Sequence, residues 1–180
     1  MALKATIYKA DLQIADMDRN YYQEHALTIA RHPSETDERV MIRLLAFALH
    51  AGPALAFTKG LFDTDEPDLW QKDLTGAIEL WIEVGQPDEK RLMKACGRAA
   101  KVVVYTYSAT SHLWYKQIAN KVERARNLSI VNIPAEASAE LEKLAKRGMQ
   151  LQCTIQDGQV WLTDSVDTVL VDRETFKEGK

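Results

Sequence analysis

Residues Asp63 to Gln86, DTDEPDLWQKDLTGAIELWIEVGQ, decide how the rest of this 180-residue chain reads. An acidic turn at Asp63, Asp65 and Glu66 leads to a short strand opening at Pro67-Asp68. Asp73 to Gly76 predicts a tight turn, and a second strand carries Glu83. In that second strand Ile78, Leu80, Ile82 and Val84 alternate with Glu79, Trp81 and Glu83. The period of two assigns the rows to opposite faces, so Glu83 projects away from the aliphatic row, beside Trp81. With Asp68 on the adjoining strand, the two carboxylates can meet. Hard divalent cations take oxygen ligands, so such a pair points to a metal ion.

Outward from this stretch, the chain alternates strands and helices. Lys4–Ile14 and Tyr21–Ala30 alternate cleanly on either side of a polar turn at Asp16–Asn20 and predict an antiparallel pair. His25 reads as a structural residue of the second strand. Pro33-Ser34 opens a helix, Ser34 as its N-cap, that runs from Glu38 through Phe47 and stops at Gly52-Pro53. Helical spacing puts Glu38 on a stripe with Met41, Ile42, Leu45 and Leu49. A carboxylate there needs a metal, an arginine or a backbone cap, or else serves as a first-turn acid favoured by the helix dipole.

Leu55–Thr58 predicts a short strand before the acidic turn. Pro87-Asp88-Glu89 begins a second helix along which Lys90, Lys94, Arg98 and Lys101 form a basic stripe. Such a stripe is either a solvated face or a ridge facing phosphate. KVVVYTY, Lys101 to Tyr107, reads as a strand buried on both faces. Ser108–Arg126 predicts an amphipathic helix with Leu113, Trp114, Ile118 and Val122 inward. Leu128–Ile133 predicts a strand, and Ala135–Arg147 a helix with Gly148 past its end. Asp157-Gly158 predicts a hairpin between Met149–Gln156 and Gln159–Thr163, and Asp172–Lys180 a charged tail. The expected fold is mixed α/β: a central sheet flanked by helices, with N- and C-terminal β-hairpins, in one domain over 1–180.

Composition narrows the chemistry. Apolar residues make up 46% and charged residues 27%, a globular composition with length for a sizeable core. Cys96 and Cys153 are too far apart for a zinc knuckle and fit reduced thiols. His25, His32, His50 and His112 show no zinc-hydrolase spacing. No apolar run approaches the ~18 residues of a membrane span, and the first residues show no signal-peptide core, so a cytoplasmic location without membrane contact is expected. The net charge of −3 means that any nucleic-acid binding is local or metal-assisted.

DERVMIRLLAFAL, EPDLW, IELWIEVGQPDEKR and VVVYTY make the chain resemble the YaeQ family nearly end to end. The order of a Glu-bearing helix, three strands with Asp on the second and Glu on the third, then helix and strand is similar to the core of PD-(D/E)XK nucleases. The resemblance implies a restriction-endonuclease-like fold with Glu38 as the first-helix carboxylate and Asp68 and Glu83 as ligands of Mg²⁺. This chain departs from the pattern at the lysine, where Gly85 stands and Gln86 follows. Gln86 then becomes the residue that positions water. Two readings result. One is a Mg²⁺-dependent nuclease acting on phosphodiesters through Glu38, Asp68, Glu83 and Gln86. The other is a catalytically silent domain that binds nucleic acid, or a protein partner in transcription or repair.

Overall fold

The computed structural model describes residues 4–180, which form two mixed sheets with helices between and outside them. Sheet A has the order β10-β9-β8-β1-β2, from β1 (Thr6–Asp16), β2 (Tyr21–Arg31), β8 (Gly148–Gln156), β9 (Gln159–Thr163) and β10 (Thr168–Val171). Sheet B has the order β11-β7-β6-β5-β4-β3, from β3 (Leu55–Phe57), β4 (Leu69–Lys72), β5 (Ile78–Val84), β6 (Ala99–Tyr107), β7 (Leu128–Ile133) and β11 (Glu174–Lys177). The helices are α1 (Asp37–His50), α2 (Glu89–Arg98), α3 (Ser111–Val122) and α4 (Ala135–Glu142).

Helix α1 explains why there are two sheets. Ten consecutive residues, Val40 to Leu49, are buried, so no face of the helix meets solvent. A helix that is apolar all round must be covered on both sides. Sheet A covers one side with Leu12, Ile14, Ile29 and Leu151, and sheet B covers the other with Leu69, Ile82 and Tyr105, all in one core. The far face of sheet B packs Trp81, Val102, Val104 and Ile130 against Leu92 of α2 and Trp114 of α3. β6 thus contributes to both cores, as its β-branched run predicts.

The single central sheet expected from the sequence is therefore two. The terminal hairpins are not appendages: β1 and β8 pair in parallel, Lys9 opposite Gly148, and fuse into sheet A. Other boundaries move for identifiable reasons. Thr36, not Ser34, caps α1 by accepting the Arg39 N–H at 3.1 Å. Helix α4 ends at Glu142 because Gly148 is drawn into the ladder with β1, while Lys9 N–H donates to the Arg147 carbonyl. The charged tail contains β11, which pairs with β7 and is anchored by Phe176 stacking on Tyr115. Helix α3 is shorter than its apolar pattern, since Ser108 and Thr110 form the preceding turn and Leu113 faces solvent. No helix among the described residues is long and apolar enough to cross a membrane.

Candidate functional site

β5, β6 and β7 run parallel with α2 and α3 as their connections, so their carboxyl ends share one rim. In open α/β sheets ligands bind outside such a rim. A pocket of about 330 Å³ opens there, lined by Arg39, Glu66, Asp68, Glu83, Gln86 and Arg91 among others. Trp70 opposes Trp81 and Leu69 opposes Ile82, and the Asp68 N–H donates to the Ile82 carbonyl at 2.9 Å. That register turns Asp68 and Glu83 into the same pocket, on the face opposite Ile82 and Val84.

Both carboxylates already have partners. Asp68 Oδ1 accepts from Arg39 Nη2 at 2.8 Å, and Oδ2 from the Val84 N–H at 2.8 Å. Arg39 also donates to the Val84 carbonyl and to Glu35, which is itself gripped by Arg43 at 2.7 Å. Arg39 sits in the first turn of α1, from which a side chain leans toward the N-terminus and reaches the strand ends. Glu83 Oε1 accepts from the Trp81 indole and from Arg91 Nε, each at 2.9 Å. Arg91 spends its remaining nitrogens on the Thr64 and Glu66 carbonyls. Gly60, at φ 54°, brings the loop's backbone over Asp68, where a Cβ would lie 3.5 Å from Oδ1.

The charges run Arg43, Glu35, Arg39, Asp68, then Glu83 and Arg91. Burial pushes the Glu83 carboxyl up, Arg91 pulls it down, and the Asp68 charge adds to the rise, so its net shift is upward. Burial opposes the Arg39 charge, but Asp68 and Glu35 outweigh it and raise its pKa. These are structural ion pairs of the kind that is costly to break.

The other predicted site residues lie elsewhere or act otherwise. Glu38 is half-buried outside the pocket and accepts from the Ser138 hydroxyl of α4 at 2.6 Å. Its neighbour Arg39 faces the pocket instead. Gln86 lines the rim, but its amide donates to Ser108 and Thr110, tying the end of β5 to the loop before α3. Lys101 leaves the basic stripe: α2 ends at Arg98, strand periodicity takes over, and Lys101 falls on the face of Val103 and Tyr105. Glu35 and Arg91 went unassigned in the sequence. The i, i+4, i+8 spacing of Glu35, Arg39 and Arg43 is the signal for the first, whereas nothing local marks Arg91 as the partner of Glu83.

A magnesium ion needs free oxygen ligands in near-octahedral array. Here two guanidinium groups stand against the carboxylates, both Asp68 oxygens are engaged, and Glu38 points to α4. Glu66 Oε2 is buried in the pocket without a partner, and the Trp81 and Arg91 contacts to Glu83 both fall on Oε1, which leaves two isolated oxygens on separate carboxylates rather than a cluster. Among the described residues no group of three His, Cys, Asp or Glu side chains is disposed to hold a metal. The arrangement does not fit Mg²⁺.

The outer layer differs in charge. Residues 89–126, covering α2 and α3, carry nine basic and two acidic residues, leaving 14 basic and 24 acidic for the rest. Lys90, Lys94, Arg98, Lys116, Lys121 and Arg124 are exposed. Lys90, Lys94 and Arg98 border a second pocket of about 300 Å³, floored by Trp81 with the Arg98 guanidinium 4.9 Å from its ring. Thr64 and Arg91 line both pockets.

Comparison with known proteins gives a consistent match. The YaeQ protein family matches residues 1–173. The uncharacterized YaeQ of Escherichia coli (strain K12) is 46% identical over 179 residues, covering 99% of each chain. That of Salmonella typhi is 48% identical over 166 residues, 92% of each chain. The crystal structure of YaeQ from Xanthomonas axonopodis pv. citri superposes with a TM-score of 0.93 at 47% identity, covering 97% of this chain and 99% of that one. The one from Pseudomonas syringae gives 0.93 at 36% identity, covering 97% of both.

Proposed function

The chain belongs to the YaeQ family, and from that premise we propose that it is a catalytically silent domain of PD-(D/E)XK nuclease type that binds nucleic acid through its α2–α3 face. The single observation that carries this reading is the pairing of Asp68 with Arg39 and of Glu83 Oε1 with Arg91. A metal-dependent phosphodiesterase needs those carboxylates open to an ion and a nearby cation to offset transition-state charge. Gly85, two residues past Glu83, supplies none.

Binding is supported by the concentration of basic residues in the outer layer, which makes a local positive field on an acidic protein. Lys90 and Lys94 have no ionic partner among the described residues, so phosphate contact breaks no existing pair.

Fluorescence anisotropy with labelled single-stranded DNA, single-stranded RNA and duplex DNA in EDTA tests the binding half. Affinity should fall with salt, by a log–log slope of about −0.7 per neutralised phosphate on a single strand. Lys90→Ala with Lys94→Ala should reduce that slope by roughly two such contacts. No binding at low salt would refute the nucleic-acid reading and leave a protein partner. Cleavage that requires Mg²⁺ or Mn²⁺ and disappears in Asp68→Ala would refute the silent one.

A further inference from the structure

The two sheets have four edges, and three of them are short. β3 has three residues, β10 four, and β11 four with a register shift against β7. Short or bulged edges are how soluble proteins keep unpaired backbone from recruiting another strand. The fourth edge is β2, eleven residues long and in unbroken register with β1 from Tyr21–Asp16 to Arg31–Thr6. Its sequence, YYQEHALTIAR, has no proline and no lysine, and Tyr22, Gln23, Glu24, Ala26, Thr28 and Ala30 are exposed. Arg43 Nη2 already donates to the Ala30 carbonyl at 3.0 Å, so the open edge runs from residue 21 to 29, roughly 30 Å at ~3.4 Å per residue.

We infer that β2 is a homodimerisation edge, pairing antiparallel with β2 of a second copy about a two-fold axis at Ala26. The strand is self-complementary in that register. On the exposed face Ala26 meets Ala26 of the partner subunit, Glu24 meets Thr28 of the partner subunit and Tyr22 meets Ala30 of the partner subunit. On the core face Tyr21 meets Arg31 of the partner subunit, an aromatic ring beside a guanidinium. No like charges oppose each other, whereas moving the axis to Glu24 would set that carboxylate against its own copy. With the Ala30 carbonyl kept by Arg43 in each copy, the overlap forms on the order of eight backbone hydrogen bonds and joins two five-stranded sheets into one. This inference is independent of nucleic-acid binding, since β2 and α2–α3 lie in separate layers.

Sedimentation velocity of the full chain over a dilution series tests it. The unmodified protein should show a monomer–dimer equilibrium. Ala26→Lys places two ammonium groups across the axis and should raise the dissociation constant roughly tenfold or more. Thr28→Lys, facing Glu24 of the partner subunit, should keep or tighten the dimer. Mixing Ala26→Lys with Ala26→Glu should restore association, which guards against a folding defect in either variant alone. A monomer at every concentration, or a dimer indifferent to Ala26→Lys, overturns the inference.

Discussion

Helices α1 and α2 both carry arginines beside sheet B, yet they use charge in opposite ways. On α1, Arg39 and Arg43 are enclosed with Glu35 and Asp68, and Arg39 Nη1 and Nη2 and Arg43 Nε and Nη2 each find a carboxylate or carbonyl within 3.0 Å. On α2, Lys90 and Lys94 reach into water. The inner network lies in low dielectric, where an unpaired charge is costly, so its members hold the fold. The outer cations are solvated and contribute little to stability, so they remain available to a ligand. Arg91 alone belongs to both regions, joining Glu83 to the loop that separates the two pockets.

The sharpest break in this contrast is Arg43→Ala, which takes two of the guanidinium contacts from the buried Glu35 carboxylate and leaves it Arg39 alone. It should cost about 3 kcal/mol or more, read as a fall in the urea midpoint. Leu45→Ala, fully buried in α1 between the sheets, should cost about 2–5 kcal/mol by the same measurement. His50 provides a test of sign. Half-buried and desolvated against Tyr105, with Lys101, Arg19 and Arg173 adding to the effect, its pKa drops from 6.5 to about 3. The folded protein then binds fewer protons than the unfolded chain between those values. Its contribution is complete above pH 6.5 and is lost as pH falls toward 3, by at most about 1.4 kcal/mol per pH unit. Urea titrations across that window should show a shallower slope in His50→Gln. At the bottom of the scale, Lys94→Ala should move stability by less than about 0.5 kcal/mol while still weakening oligonucleotide binding.

How much of this could be read in advance varies with the range of the forces involved. The alternation of Ile78 to Val84 is local, and it turns Glu83 and Trp81 to one face while the turn at Asp73–Gly76 forms through the Asp73 carboxylate. Asp157 and Gly158, at φ 53° and 76°, make the hairpin that their dipeptide predicts. Glu38 misleads because a helical stripe names a face, not what covers that face; α4 arrives from a hundred residues away to cover it with Ser138. Lys101 misleads because a helix period was carried across the boundary into a strand. The partner of Glu83 was illegible for a related reason: several basic residues compete for it in sequence, and only the meeting of α2 with β5 selects Arg91.

The sequence by itself determined strands β3 to β7 of sheet B, the turn chemistry, the basic composition of the α2–α3 segment and the resemblance to the YaeQ family, because each depends on residues close together in the chain. Tertiary structure alone decided that there are two sheets rather than one, that α1 is enclosed between them, and that arginines stand where the resemblance implies a metal ion. The physical reason is that burial and charge neutralisation are long-range bargains. A carboxylate becomes a ligand or one half of an ion pair according to which distant group reaches it, and that is fixed only when the layers pack.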